Sequence, residues 1–241
     1  MDRVQYFEKS YARESPFSYA CHACRRCCYD KIIHVNPYEV GRLALNRRMS
    51  TTEFLSRYTT SNGTTLKQTG RGACVFLTPQ GCGVHPDRPL VCRLYPLGRK
   101  VSADGVERFH EVTPHPQTEG EYGADGTVQD FLSKQGAQPF IHAVERYVDL
   151  ISRAAPRMRA VINNSNLHDD VKQLLEDIPQ EGSGQVPSWL DMDQEVARYC
   201  DARHLSVPGD VEAKMEVHLQ AIEDWIGNSQ SHREEDHGRR R

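Results

Sequence analysis

No stretch of the 241-residue sequence approaches the roughly 18 consecutive apolar residues of a membrane helix. A dominant charge sign is also missing. The 33 acidic side chains stand against 30 lysines and arginines, interspersed, for a formal net charge of −3. That removes the global basic field expected of a protein that binds nucleic acid or an anionic membrane. The opening MDRVQYFEKSYARESPF carries charge throughout and has no apolar h-region. No secretory signal is read there, and a reducing, cytoplasmic setting is expected. G-x-S-x-G, P-loop and dinucleotide fingerprints are absent, as are internal repeats. Apolar residues are few, 38%, yet hydrophobic periodicity over long stretches still provides for a core. The disorder signature is confined to the ends.

What the chain does have is sulfur. CHACRRCC (21–28) places Cys21, Cys24, Cys27 and Cys28 within eight residues of a chain with 8 cysteines. Cys74, Cys82 and Cys92 follow in one later segment, CVFLTPQGCGVHPDRPLVC. A disulfide framework, a redox thiol pair and a metal site compete to explain this. A reducing compartment and the adjacent pair Cys27-Cys28 weigh against disulfides. Ordinary buried thiols are the bland reading. Seven cysteines interleaved with Gly, Pro and Arg in loops weigh against it. Cys200 differs, because it lies in a helical pattern with Val196, Tyr199 and Leu205 and reads as a packing residue.

The rest of the chain divides by pattern. KIIHV (31–35) and ACVFL (73–77) read as short strands. Asn36-Pro37 starts a helix through YEVGRLALNRR, and Ser50 or Thr51 caps another through TEFLSRY. Residues 92–112 read as a β-hairpin turning at Asp104-Gly105, followed by a loop, TPHPQTEGEYGADG. Thr127 and Asp130 fit a capping box for VQDFLSKQ. Phe140, Val144, Tyr147, Val148 and Ile151 recur at helical spacing. DDVKQLLEDI reads as a short helix and EGSGQVP as a linker. Helices are expected in WLDMDQEVARYCDARHL and VEAKMEVHLQAIEDWI. The expected class is α+β: a small loop-rich, metal-organised domain with short strands, backed by α-helices. Its divisions are a cysteine-cluster domain at 15–135, a helical extension at 136–180, a C-terminal helical segment at 188–228 and a disordered tail at 229–241. Short elements bury little against one another, so ligation free energy is expected to fix the loops.

Three-residue spacing puts Cys21, Cys24 and Cys27 on one side of a turn. CxxCxxC also opens the bacterial ferredoxin run, although the x3-C-P ending is missing here. Cys27 and Cys28, as neighbours in extended backbone, would point to different centres. Seven thiols and one imidazole would supply two tetrahedral ions, or a four-cysteine cluster and a second metal. Arg25, Arg26, Arg88 and Arg93 can offset the thiolate charge. Arg88 and Arg93, set between prolines and cysteines, read as supports of the cofactor site from outside the ligands. Arg25 and Arg26 read equally well as a solvated face.

CHACRRCC, then GACVFL, then GCGVHPDRPLVCRLYPLG resemble the YkgJ-type cysteine-cluster family, the CxxCxxCC zinc- or iron-chelating domain. The blocks stand in the family's order, over roughly residues 15 to 135. The resemblance implies Cys21, Cys24, Cys27, Cys28, Cys74, Cys82 and Cys92 as metal ligands. Many members have a further Cys-Pro-Gly after the hairpin. Here PHPQTEG puts His115-Pro116 in that place, making His115 the candidate eighth ligand. Flagellin lysine methylases share the cysteine pattern, and some relatives are labelled iron–sulfur oxidoreductases. His85 reads as a turn residue; His22, His34 and His110 read as structural or exposed. Tyr29 and Tyr95, beside cysteines, read as shields against water.

Three functions stay open. The first is an iron–sulfur or iron protein with redox activity. The second is a structural zinc module for interaction. The third is an enzyme like the lysine methylases, for which no glycine-rich methyl-donor loop after a clear strand is seen. The expected cofactor is an iron–sulfur cluster or iron, with zinc as the alternative. The expected partners are that metal and a protein of unknown identity, with neither nucleic acid nor membrane.

Overall fold

The computed structural model describes residues 9–22, 24–60, 63–162 and 188–238. In chain order the strands are β1 (Ser10–Tyr11), β2 (Pro16–Ala20), β3 (Leu77–Thr78), β4 (Gly81–Cys82), β5 (Leu97–Val101), β6 (Glu107–Glu111) and β7 (Glu121–Thr127). The helices are α1 (Pro37–Asn46), α2 (Thr51–Tyr58), α3 (Leu90–Leu94), α4 (Val128–Lys134), α5 (Gln138–Ile162), α6 (Met192–Ala202) and α7 (Val211–Gly238). The class is α+β. No described helix is long and apolar enough to cross a membrane.

The chain forms two compact units: Met1–His34 with Lys67–Ile141, and Val35–Leu66 with His142–Arg241. The first holds all the strands, in three small antiparallel sheets ordered β1-β6-β5, β2-β7 and β3-β4. The β5–β6 hairpin pairs Leu97 with Glu111 and Arg99 with Phe109. Its turn carries Gly105 at φ 81°, the left-handed geometry expected of Asp104-Gly105. In the β2–β7 ribbon Tyr19 faces Tyr122, and the register shifts between Pro16 and Ser18. Phe17, Leu97, Phe109, Phe131 and Phe140 are buried. Phe17 meets Phe131 edge-on at 5.1 Å between ring centroids. Thr127 caps α4 in a capping box with Asp130, as its sequence requires.

The second unit is helical. Asn36 accepts from the Glu39 amide while the Glu39 carboxylate accepts from the Asn36 amide, both at 3.0 Å, and Pro37 opens α1. Ser50 caps α2. Asp191 caps α6 and accepts the hydroxyls of Thr51 and Thr52, each at 2.5 Å, tying α2 to α6. Gly41 lets α1 approach α6: a Cβ there would lie 2.3 Å from Met192 Cε. Val40, Leu43, Phe54, Met192 and Val196 are fully buried. Each such side chain contributes about 1.5–3 kcal/mol relative to exposure. Cys200 is buried among them, a packing residue as its helical spacing indicated.

Several local expectations are corrected. Residues 31–35 and 73–77 form no continuous strand; only single bridges occur at His34, Ala73 and Cys74 before β3. Cys92 lies on the short helix α3, so the hairpin starts only at Leu97. The segment read as a loop after Thr113 contains the seven-residue β7. Phe140 and Tyr147 are buried as their spacing indicated, but Val148 and Ile151 are exposed, because α5 turns Ile141 and Leu150 inward in their place. Helix α7 runs to Gly238, across most of the segment read as a disordered tail. The helix expected at 169–178 and the linker at 181–187 lie outside the described residues. Residues 35–66, inside the expected 15–135 segment, pack with the C-terminal helices.

Candidate metal centre

Backbone hydrogen bonds bring the two cysteine segments together within the first unit. The Cys74 amide donates to the Cys28 carbonyl at 2.8 Å, and the Asp30 amide donates to the Gly72 carbonyl at 2.9 Å. Tyr29 bridges Ala73. Arg25, at a left-handed φ of 67°, turns the chain into a single 3-10 turn at Arg26–Cys28. Its guanidinium donates to the Pro79 carbonyl at 2.7 Å, reaching the loop that joins β3 to β4. In that hairpin Cys82 pairs with Leu77. Arg25 therefore joins the two segments, a role that sequence left level with solvation.

The 3-10 turn corrects one expectation. Cys27 and Cys28 do not point apart: their sulfurs lie 3.9 Å from each other. Two metal–sulfur bonds of about 2.3 Å at a tetrahedral angle span about 3.8 Å, so both thiols suit one ion. Cys27 also lies within electrostatic reach of Cys74 and Cys82, and Cys28 within reach of Cys82 and Cys92. Arg88 reaches Cys82, Cys92 and Cys21. All eight cysteines are free thiols; Cys21 is exposed and the other six of the motif are half-buried. Among the described residues, no three Cys, His, Asp or Glu side chains are drawn to metal-binding distance. The thiols share a neighbourhood and stop short of a closed ligand cage.

Three of these sulfurs have backbone amides two residues ahead turned toward them: Arg26 for Cys24, Phe76 for Cys74 and Val84 for Cys82. An amide pointing at sulfur favours the thiolate. The Glu119 amide has the largest effect on Cys24 and lowers its pKa. Burial outweighs the amides at Cys74 and Cys82 and raises both. A hydrogen bond from Cys28 lowers Cys27 to about 7, and the same bond keeps the proton on Cys28. These soft donors, cradled by amides, fit zinc, iron or an iron–sulfur centre.

The arginines work on the backbone. Arg93, 5% exposed, donates to the carbonyls of Arg88 (2.9 Å), Gln135 (2.7 Å) and Pro86, and stacks 3.9 Å over Phe140. It pins the segment between Cys82 and Cys92 to the end of α4. Arg88 donates to the His85 carbonyl at 2.6 Å and to Gln135 at 2.5 Å, while its charge faces three thiols. His85 sits in that turn, 3.3 Å from Arg88 through Nδ1, in keeping with a turn role. His22 is exposed beside Glu121, at 3.4 Å.

His115 lies in the loop before β7, where its Nδ1 accepts the Gln117 amide at 3.1 Å. That bond places the ring proton on Nε2, so ligation through Nε2 requires the imidazole to release Gln117. The same loop supplies a residue the sequence reading missed. The Thr118 hydroxyl lies 3.4 Å from Tyr19 Oη and 4.0 Å from Cys24 Sγ, and it accepts the Gly120 amide at 3.3 Å. Gly120 leaves room for this approach, since a Cβ there would lie 1.8 Å from Tyr19 Oη. Tyr19 meets Tyr95 and Tyr122 edge-on at 6.1 and 5.2 Å, forming an aromatic wall beside the thiols. The sequence carried no strand signal there, because β7 (EYGADGT) neither alternates nor holds a β-branched run.

Residues 20–115 match the family model CxxCxxCC, described as "Putative zinc- or iron-chelating domain". Those residues are similar to that domain. The matched segment contains all seven motif cysteines and ends at His115. Metal binding is therefore the general property to which this geometry belongs. No curated protein and no solved structure matches the chain.

Proposed function

We propose that the CxxCxxCC domain holds its metal through Cys21, Cys24, Cys27, Cys28, Cys74, Cys82 and Cys92, as an iron or iron–sulfur protein with redox activity. The observation that carries the reading is the Cys27–Cys28 separation of 3.9 Å, with both later cysteine positions in electrostatic reach. That separation suits two thiolates on one tetrahedral iron, alone or within a two-iron cluster. It does not suit neighbours on separate irons of a larger cluster. Two tetrahedral ions need eight positions, which seven thiolates fill if one sulfur bridges; His115 then keeps its bond to Gln117. Arg88 offsets thiolate charge, and Arg93 holds the loop that carries Cys82 and Cys92.

A second reading, a structural zinc module, is favoured by the two-residue strands and single turns that present the cysteines. Such loops gain definition from ligation. Anaerobic purification with metal analysis and a visible spectrum separates the readings. A brown protein that bleaches on reduction supports the first. A colourless protein with stoichiometric zinc supports the second. Cys24→Ala and Cys92→Ala are each expected to lower metal content, and Cys200→Ala to leave it unchanged. Full occupancy in both ligand variants would reject the assignment.

A further inference from the structure

Arg25 stands between Cys24 and Cys27, in left-handed backbone at φ 67°. Such backbone is unfavourable for a residue with a Cβ and natural for glycine, so an arginine there calls for a reason. Its contacts supply one. The Arg25 carbonyl accepts the Cys28 amide at 3.0 Å, and the Cys28 carbonyl accepts the Cys74 amide at 2.8 Å. From Cys74 the chain is braced into the β3–β4 hairpin. The Leu77 amide donates to the Cys74 carbonyl and the Gly83 amide to the Phe76 carbonyl, both at 2.9 Å. At the hairpin turn the Thr78 hydroxyl donates to the Gly81 carbonyl at 2.9 Å and accepts the Gln80 amide at 3.2 Å. The Pro79 carbonyl, on this braced turn, accepts the Arg25 guanidinium at 2.7 Å. These bonds close a ring to which Cys27, Cys28, Cys74 and Cys82 all belong. Within it two links join the cysteine segments, one of backbone at Cys28 and one of side chain at Arg25.

We propose that Arg25 is a positioning residue for metal uptake: its bond to Pro79 holds the hairpin that carries Cys82 against the CHACRRCC turn before any ion arrives. This rests on the metal-chelation reading of the same site. Ordering completed in advance is ordering that ligation need not supply, so affinity rises without a new ligand. The left-handed backbone is offset by a bond that glycine could not make.

The test compares full-length wild type, Arg25→Asn and Arg25→Lys, with zinc as the probe. Asparagine tolerates left-handed backbone but is too short to reach Pro79, whereas lysine keeps the charge and an N–H donor on a long stem. Arg25→Asn is expected to bind zinc about fivefold more weakly in competition with a chelator, and Arg25→Lys to recover most of that loss. In metal-free Arg25→Asn, Cys82 should react faster with a disulfide reagent than in metal-free wild type, while Cys200 keeps its rate. A double-mutant cycle with Cys82→Ala separates a held hairpin from a charge beside thiolates. With Cys82 gone, Arg25→Asn should no longer change zinc affinity. A loss that persists undiminished in the Cys82→Ala background would overturn the proposal, as would unchanged zinc affinity in Arg25→Asn alone. An unchanged Cys82 rate in metal-free Arg25→Asn would overturn it even if Cys82→Ala held too little zinc for the cycle. In each of these cases chelation by cysteine stands. Wild type that takes up no zinc would remove both this proposal and the reading beneath it.

Discussion

Around Cys27 the chain makes a three-residue turn with no buried residue, while around Leu43 it makes ten residues of helix with most of one face buried. Both stretches belong to one polypeptide, yet they meet the entropy of folding differently. In the second unit Leu43, Phe54, Met192 and Val196 exclude water between helices. The Asn36–Glu39 capping box, the Ser50 cap and the Asp191 network fix where those helices begin. In the first unit the cysteine loops hang from a few amides, the Arg25 link to Pro79 and the Arg93 clamp. Apolar burial and local caps together explain the second arrangement. The first adds half-buried thiols with backbone amides turned toward three of them, donors of a kind that suits a cation.

The largest effect expected from this contrast comes from metal removal. Structural zinc sites gain about 10–16 kcal/mol from ligation at neutral pH, so stripping the metal should open the cysteine loops. The two tryptophans, Trp189 and Trp225, both belong to the second unit. In chelator the seven motif thiols should react rapidly with a disulfide reagent, Cys200 should stay protected, and tryptophan emission should hold. Emission that collapses together with metal loss would break the comparison.

Acid should act on the opposite unit. His218 is fully buried on α7, with Nδ1 2.9 Å from the Tyr147 hydroxyl and Nε2 unpartnered. Burial lowers its pKa to about 4, while Glu195, the Trp189 backbone and Asp191 pull the other way. An unfolded histidine takes up a proton near pH 6.5, which the folded one refuses until about pH 4. The unfolded state therefore binds more protons in that window, and stability falls on acidification by up to about 3 kcal/mol. Tryptophan-detected urea unfolding from pH 7 to pH 4 measures this. His218→Asn should flatten the slope; an unchanged slope would remove His218 as its source.

The same contrast decides how much could be read from sequence. Asn36-Pro37, Ser50 and Thr127-x-x-Asp130 announce helix starts because caps are local chemistry. The seven motif cysteines stand out because their blocks have fixed order and spacing. The turn at Arg26–Cys28 was not legible: a left-handed arginine is unusual, and nothing local demands it. Nor was β7, whose EYGADGT lacks the β-branched run that marks a strand and gains its conformation from pairing with β2. Missing β7 meant missing Thr118 beside Tyr19 and Cys24. Residues 35–66 were assigned with the cysteines by position in the chain, but their apolar faces fit helices more than a hundred residues away.

The smallest effect asked of the comparison is one deletion made in each unit. Asn36→Ala and Thr127→Ala each remove an N-cap side chain from a capping box, worth about 1 kcal/mol. Asn36→Ala should lower the tryptophan-detected melting midpoint by a few degrees, because α1 contributes directly to the packed core that the tryptophans report. Thr127→Ala removes a similar increment from α4, in the unit without tryptophan, and should leave that midpoint in place. Its effect should appear as faster thiol reaction in metal-free protein and fade once metal is bound, since ligation outweighs a single cap about tenfold. If Thr127→Ala moved the tryptophan midpoint as far as Asn36→Ala does, the units would melt as one, and the contrast between a core of carbon and a core of sulfur would lose its thermodynamic meaning.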